Sequence, residues 1–302
     1  MPQTFLKTKN LSDLLSFLQK ACYNEQQCDM ILKQTQIGEV KKMETLEEYS
    51  ELVSLFDKQL QFAQNIQKKI IPKSSEFVSN DYHLFARLRP FRKVGGDFYD
   101  FHTFDNGQVS FILADATGHG IDAAMITSMV KLIYSYAMDN PKLQTHPAAL
   151  MQQIERDIEK QLPATFFSAL TLFLDPKSQT LRYANAGHPA GLLIHDEIQL
   201  LKPTLPLLGL HHMMSSINYN DCTLPFKPGS KLLLFTDGLI DTINENNESF
   251  SIEGVLRIVR ENKDLPVNNL CRKLLDCHSD FRGGMDINDD ICLLGIEYDR
   301  CL

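Results

Sequence analysis

Four places in the sequence set an aspartate beside glycine or at the end of an apolar run. Asp97 lies in Val94-Gly95-Gly96-Asp97-Phe98-Tyr99-Asp100, and Asp115 follows Phe111-Ile112-Leu113-Ala114. Asp237 comes just after Leu232-Leu233-Leu234-Phe235 and precedes Gly238, while Asp289 and Asp290 open the run Ile291-Cys292-Leu293-Leu294. A carboxylate at the end of a buried strand sits at the rim of a sheet, partly stripped of water. Several such groups cannot share a rim unless cations neutralise them. Oxygen donors without a surrounding set of Cys or His ligands suit Mg²⁺ or Mn²⁺ better than zinc. Taken singly, each Asp reads as well as a helix cap or a turn residue. The shared-site reading rests on the four positions together.

To converge, these aspartates need strands that end at a common edge. His83–Arg89 alternates apolar with polar residues, as a half-buried strand does, and Gln108–Ala114 is a second strand that ends at Asp115. The Gly118-His119-Gly120 turn leads into a helix over 121–138. On it Met125, Met129, Leu132 and Tyr136 recur at helical spacing and are expected in the core. A second helix is expected over 147–161. Strands at 166–174 and 180–186 follow, joined by the turn Asp175-Pro176-Lys177-Ser178. Further strands are read at 191–195 and 231–235, helices at 252–260 and 267–279, and a last strand at 290–298. Hairpins with paired helices between them predict antiparallel sheets covered by helices, an α+β arrangement, and not a βαβ alternation. Neither common glycine-rich nucleotide loop is present.

The first 75 residues have another texture, poor in glycine and rich in Leu, Gln, Lys and Glu, which favour helix. Leu46, Tyr49, Val53, Phe56, Leu60 and Ala63 follow alternating steps of three and four, a heptad seam that breaks at Gln67 and resumes at Ile70 before Pro72. The seam fits a parallel dimeric coiled coil and equally a single amphipathic helix packed on the main domain. The expected organisation is a helical N-terminal region of unassigned role (1–43), a helical linker (44–75) and one main domain (76–302).

The bulk numbers narrow the setting. With 302 residues, 43% hydrophobic and 23% charged, the composition is that of an ordinary globular protein. A formal charge of −8 argues against a nucleic-acid partner. The apolar runs are far shorter than the ~18 residues of a membrane helix, and Met1–Lys9 resembles neither a signal peptide nor a lipidation motif. Seven cysteines without a CxxC pair fit reduced thiols in a cytoplasmic chain. Cys271, Cys277 and His278 match no common zinc spacing.

Five blocks in order, VGGDFYD at 94–100, DATGHG at 115–120, NAGHP at 185–189, TDGL at 236–239 and NDDICLL at 288–294, make the chain resemble the PPM family of metal-dependent protein serine/threonine phosphatases. The branch is the bacterial SpoIIE/RsbU-like one, and the resemblance covers roughly residues 80–298. It implies a four-layer α-β-β-α sandwich of two antiparallel sheets flanked by helices. It implies two divalent cations, Mn²⁺ or Mg²⁺, held by Asp97 and Asp115, by the backbone carbonyl of Ala116, and by Asp237 and Asp289. Asp97 and Asp115 would be the catalytic pair, with Asp100 and Asp290 in support. Gly95 and Gly96 are expected to let the backbone turn sharply enough to aim Asp97, and Gly118 and Gly120 to do the same before the helix.

The implied reaction is hydrolysis of a phosphoserine or phosphothreonine by water activated between the cations. Its implied substrate is a STAS-domain anti-sigma-factor antagonist in a partner-switching pathway. The alternatives are a non-catalytic phosphoprotein-binding module of the same fold and a hydrolase of small phosphate esters. His119 and His188 read more readily as turn residues than as proton donors. Arg87, Arg89, Arg92 and Lys93 can steer phosphate or form a solvated charged strand. Cys292 stands where the branch usually has Thr, and Ala116-Thr117 where it has Val-Ser. Leu60–Pro72 looks like the family's signature connector, and the seam running into it leaves a homodimer through the N-terminal helices as one of the two readings.

Overall fold

The computed structural model describes residues 46–72, 77–79, 82–118, 120–162, 165–210, 213–214 and 216–299. By its internal contacts the chain divides into two compact units, Met1–Gln59 and Leu60–Leu302. The described part of the first unit is the beginning of one helix, α1, Leu46–Ile70. This helix stops before Pro72, and Lys68 and Lys69 in its last turn complement the negative end of the helix dipole.

In the second unit, alternating side chains build two antiparallel sheets. The first holds β1 (Phe77–Ser79), β2 (Tyr82–Arg89), β7 (Gly191–Ile194), β8 (Ile198–Leu201), β10 (Lys231–Phe235) and β11 (Ile291–Tyr298), in the order β1-β2-β11-β10-β7-β8. The second holds β3 (Asp97–Thr103), β4 (Val109–Ala116), β5 (Phe167–Asp175), β6 (Thr180–Ala186) and β9 (Cys222–Pro225), in that order. Along β11 the period of two is plain. Cys292, Leu294 and Ile296 join the core between the sheets, while Ile291 and Leu293 join a second core on the outer side. Strands buried on both faces read as continuous apolar runs, which is why Lys231-Leu-Leu-Leu-Phe235 shows no alternation in sequence.

Helices cover both outer faces. α2 (Ile121–Met138) and α3 (Pro147–Gln161) lie on the second sheet. α6 (Val267–Arg282) packs on β2 and β11 of the first, beside α5 (Ser251–Asn262), and the short α4 (Asp237–Ile240) precedes both. The result is the α-β-β-α sandwich expected from the sequence. β1, β3, β8 and β9 were not expected. β3 hides its alternation behind Asp97 and Asp100, and the other three are only three or four residues long.

One expectation about α2 is overturned. Met125, Leu132 and Tyr136 are exposed at 64%, 58% and 79%, and Met129 is only partly buried. The buried face carries Ala123, Ala124, Thr127, Val130, Tyr134 and Ala137. The helical period was right and its phase was not. That face mixes small residues with the fully buried Tyr134, whereas hydrophobicity by itself favours the larger apolar residues of the other face.

Candidate metal centre

The β3–β4 register sets Asp97 directly opposite Asp115, so both carboxylates leave the same face of the sheet. Like charges in direct cross-strand register repel, which makes the pair costly unless something neutralises it. From the facing sheet, β10 ends at Phe235, and Thr236 then donates from Oγ1 to Asp97 Oδ2 at 2.6 Å. Asp237 opens α4 and does not close the strand itself. The backbone of Gly238 lies on that of the Asp289–Asp290 corner: a Cβ there would stand 2.0 Å from the Asp290 carbonyl. Asp290 ends the corner, since β11 begins at Ile291.

Long-range hydrogen bonds fix the Gly95-Gly96 loop before Asp97. Asp290 Oδ2 accepts from Gly96 N at 2.6 Å and Asp97 N at 3.4 Å, and its Oδ1 accepts from Phe91 N at 2.6 Å. Gln67, buried on α1, donates to Gly95 O at 2.7 Å and accepts from Gly95 N at 3.2 Å. Thr127 on α2 donates to Gly96 O at 2.7 Å. Neither Gly95 nor Gly96 has a positive φ, so a sharp turn is not their reason. The reason is close approach: a Cβ at Gly95 would meet Asp290 Oδ2 at 2.1 Å, and one at Gly96 would meet the Ala116 carbonyl at 2.7 Å. Gly118 and Gly120, with φ of 92° and 84°, do turn the chain into α2 in the left-handed half of backbone space.

The electrostatics follow from this crowding. Burial raises the Asp97 pKa well above the carboxylate range, and Asp115 and Asp290 add to it. Asp115 is pushed up to about 8 by burial, then by Asp237, Asp289 and Asp290. Burial also raises Asp237 and Asp289, with Asp241 pressing on both. The charged side chains that act on Asp97 and Asp115 most strongly are other aspartates, so they titrate as a group.

Among the described residues, no set of three or more His, Cys, Asp or Glu side chains is already drawn in to ligand distances. The donor chemistry nevertheless fits a hard divalent cation. Asp97, Asp115, Asp237 and Asp289 offer oxygen only, carry excess negative charge and press on one another. The Ala116 carbonyl is held beside Gly96 at the same rim.

Other expected residues fall elsewhere. Asp100 points to the opposite face of β3 from Asp97 and pairs with Lys131 of α2. Asp290 spends its carboxylate on the three backbone amides named above. Arg87 and Arg89 are exposed on β2, and Arg92 lies 5.2 Å from the centre of the Phe91 ring. His188 is buried, and His119 lies outside the described residues. Sequence reasoning missed Gln67, Thr127 and Thr236, because each acts through hydrogen bonds to residues far along the chain. It also missed Asp241, which is exposed one turn after Asp237 and carries no motif.

Known proteins resemble this chain in sequence and in fold. The chain is 23% identical over 247 residues to the phosphoserine phosphatase RsbP of Bacillus subtilis, covering 80% of this chain and 58% of that protein. It is 28% identical over 164 residues to the phosphoserine phosphatase RsbU of the same organism, covering 52% and 46%. It thus spans about half the length of these relatives. The SiaA-PP2C domain of Pseudomonas aeruginosa superposes with a TM-score of 0.73 at 22% identity, covering 82% of this chain and 99% of that domain. No helix among the described residues is long and apolar enough to cross a membrane. The family described as stage II sporulation protein E (SpoIIE) matches residues 105–299, a span that holds Asp115, Asp237 and Asp289, and the chain belongs to that family.

Proposed function

We propose that this chain is a metal-dependent protein serine/threonine phosphatase. The observation that carries the reading is the convergence of Asp97, Asp115, Asp237 and Asp289 from two sheets, with the pKa of each raised by burial and by its neighbours. Such a cluster must take up protons or cations, and cations are what let the four carboxylates stay ionised together. Asp97 and Asp115, with the Ala116 carbonyl, Asp237 and Asp289, would hold two divalent cations, Mg²⁺ or Mn²⁺. When bound, these cations supply charge to the phosphoryl oxygens and acidify water near neutral pH. Water then replaces the serine or threonine oxygen on phosphorus, leaving the free hydroxyl side chain and inorganic phosphate. The protein's part is positional. Thr236 orients Asp97, and Asp290 and Thr127 hold the loop that carries it.

The substrate proposed is a phosphorylated STAS-domain protein, an anti-sigma-factor antagonist in a bacterial partner-switching pathway in the cytoplasm. The names of RsbP and RsbU support phosphoserine as the group removed. Residues 44–75 are proposed as a linker and 76–302 as the phosphatase domain. Gln67 lies where such a linker could act, because its side chain grips both polar groups of Gly95, two residues before Asp97.

The test is phosphate release by the full chain from a phosphoserine protein and from a generic phosphate ester. It is run with Mn²⁺, with EDTA, and with Asp115→Asn or Asp237→Asn. The expected result is Mn²⁺-dependent release, abolished by chelation and by either substitution, with the phosphoprotein turned over far faster. Equal turnover of both substrates would favour a small-ester hydrolase. Tight binding of the phosphoprotein without release would favour a binding module.

A further inference from the structure

One buried group behind the aspartates has no task in this mechanism. His188 is 1% exposed, and its Nδ1 lies 2.6 Å from Ser168 Oγ. Ser168, on β5, is the residue directly across the ladder from Asp115. The His188 backbone N–H donates to Asn185 Oδ1 at 2.8 Å, and the Asn185 side-chain amide donates to Leu201 O at 3.0 Å. Nε2 is buried and makes no hydrogen bond of normal geometry. Burial holds the ring pKa down at about 3, with the backbone of Phe235 acting the other way. Phe235 ends β10, two residues before Asp237.

The imidazole therefore stands between the strand partner of Asp115 and the strand end that leads to Asp237. Its own turn has no room to drift: Gly187 has φ of 63°, and a Cβ there would lie 2.7 Å from the Leu207 side chain. Its ring bonds Ser168 and its backbone bonds Asn185, neither of them an aspartate, so it is no ligand. A neutral, rigid ring suits a strut beside mutually repelling carboxylates, because it adds no charge and keeps its length.

We propose that His188 is a positioning residue that spaces β5 from the end of β10, and so sets the separation of Asp115 and Asp237 at which they can share a cation. The proposal rests on the metal reading above. It predicts that losing the strut weakens cation binding while turnover at saturating metal changes little. Groups that orient ligands from behind commonly alter metal affinity by ~10–100-fold when removed.

The experiment measures free Mn²⁺ by electron paramagnetic resonance during titration of the full chain. The proteins compared are wild type, His188→Ala, His188→Gln, Ser168→Ala and, as a control, His278→Gln. His278 is also buried, but it packs edge-on against Phe250 in the outer core, away from the aspartates. Expected are Mn²⁺ binding weakened about tenfold or more in His188→Ala, a smaller weakening in Ser168→Ala, partial recovery in His188→Gln, and wild-type binding in the control. Unchanged binding in His188→Ala would overturn the proposal, as would equal weakening in His278→Gln, which would mark a general loss of stability. If His188→Ala does not fold, Ser168→Ala decides, and unchanged binding there counts against the strut. Absence of Mn²⁺ binding by the wild type would overturn the metal reading itself, and this proposal with it.

Discussion

Thr236 Oγ1 sits between Asp97 Oδ2, to which it donates at 2.6 Å, and the backbone N–H of Cys292, from which it accepts at 2.9 Å. One hydroxyl thus links β3 of one sheet to the end of β10 and the start of β11 in the other. Its donated hydrogen bond also lowers the Asp97 pKa against burial and the neighbouring aspartates. Thr236→Val keeps the shape and removes both bonds. We expect a stability loss of about 1–3 kcal/mol and weaker Mn²⁺ activation, read by chemical denaturation and by the Mn²⁺ midpoint of phosphate release. An unchanged midpoint would show that Asp97 does not need this partner.

The pH dependence of the metal-free protein should run opposite to that of most carboxylate-stabilised proteins. Asp115 has a folded pKa of about 8, whereas an unfolded aspartate titrates near about 3.9. Between those values the folded chain holds more protons than the unfolded one, so stability falls as pH rises. In EDTA, Tm should decline between about pH 6.5 and pH 8, above the range in which the buried histidines act, and Asp115→Asn should flatten much of that decline. Saturating Mn²⁺ should raise Tm more at the upper end, where the carboxylates are free to bind. A metal-free Tm that climbs across this interval would contradict the electrostatic account.

Gly238 tests the close approach of the two halves of the site. Its added Cβ would sit 2.0 Å from the Asp290 carbonyl, a backbone atom that cannot rotate aside. Gly238→Ala should cost about 1–3 kcal/mol as an overpacking change and abolish metal-dependent activity. Gly284→Ala, with nothing within 4 Å, is the matched control and should leave activity intact. Full activity in Gly238→Ala would mean that the corner is looser than described.

The linker proposal turns on the seam. Val53 and Leu60 are half-buried along α1, while Leu55 and Phe62 are exposed at 55% and 68%. If the seam pairs two copies of the chain, replacing Val53 and Leu60 with glutamate should convert the dimer to a monomer in analytical ultracentrifugation and lower phosphatase activity. A monomer of unchanged activity would separate the seam from catalytic control.

Acid should act through the buried histidines, His188 behind the site and His278 in the outer core. His278 is buried against Phe250, and its pKa is lowered to about 4, first by burial and then by Arg282 and Arg89. The unfolded chain takes up that proton at higher pH, so stability is lost as pH falls from about 6.5 toward the folded value. His278→Leu should blunt the acid limb of a Tm profile; an identical limb would assign it to other groups.

Much of the scaffold was legible because local pattern carries it. The spans 121–138, 147–161, 180–186 and 231–235 follow from periodicity and turn residues, and they match α2, α3, β6 and β10. The aspartates stood out for the same reason, each being a polar residue placed where an apolar run meets glycine. Pattern failed where two faces were both plausible, as on α2, and where charge masked alternation, as in β3.

The sequence by itself determined the α+β class and the family, because residue type and spacing along the chain are enough for those, and it nominated the aspartates. Tertiary structure decided which partners hold the site. Gln67 reaches Gly95 across 28 positions, Thr236 reaches Asp97 across 139, and Asp290 reaches Gly96 across 194. A hydrogen bond needs two groups within about 3 Å, and no local periodicity encodes which distant residues the packing of two sheets will bring that close.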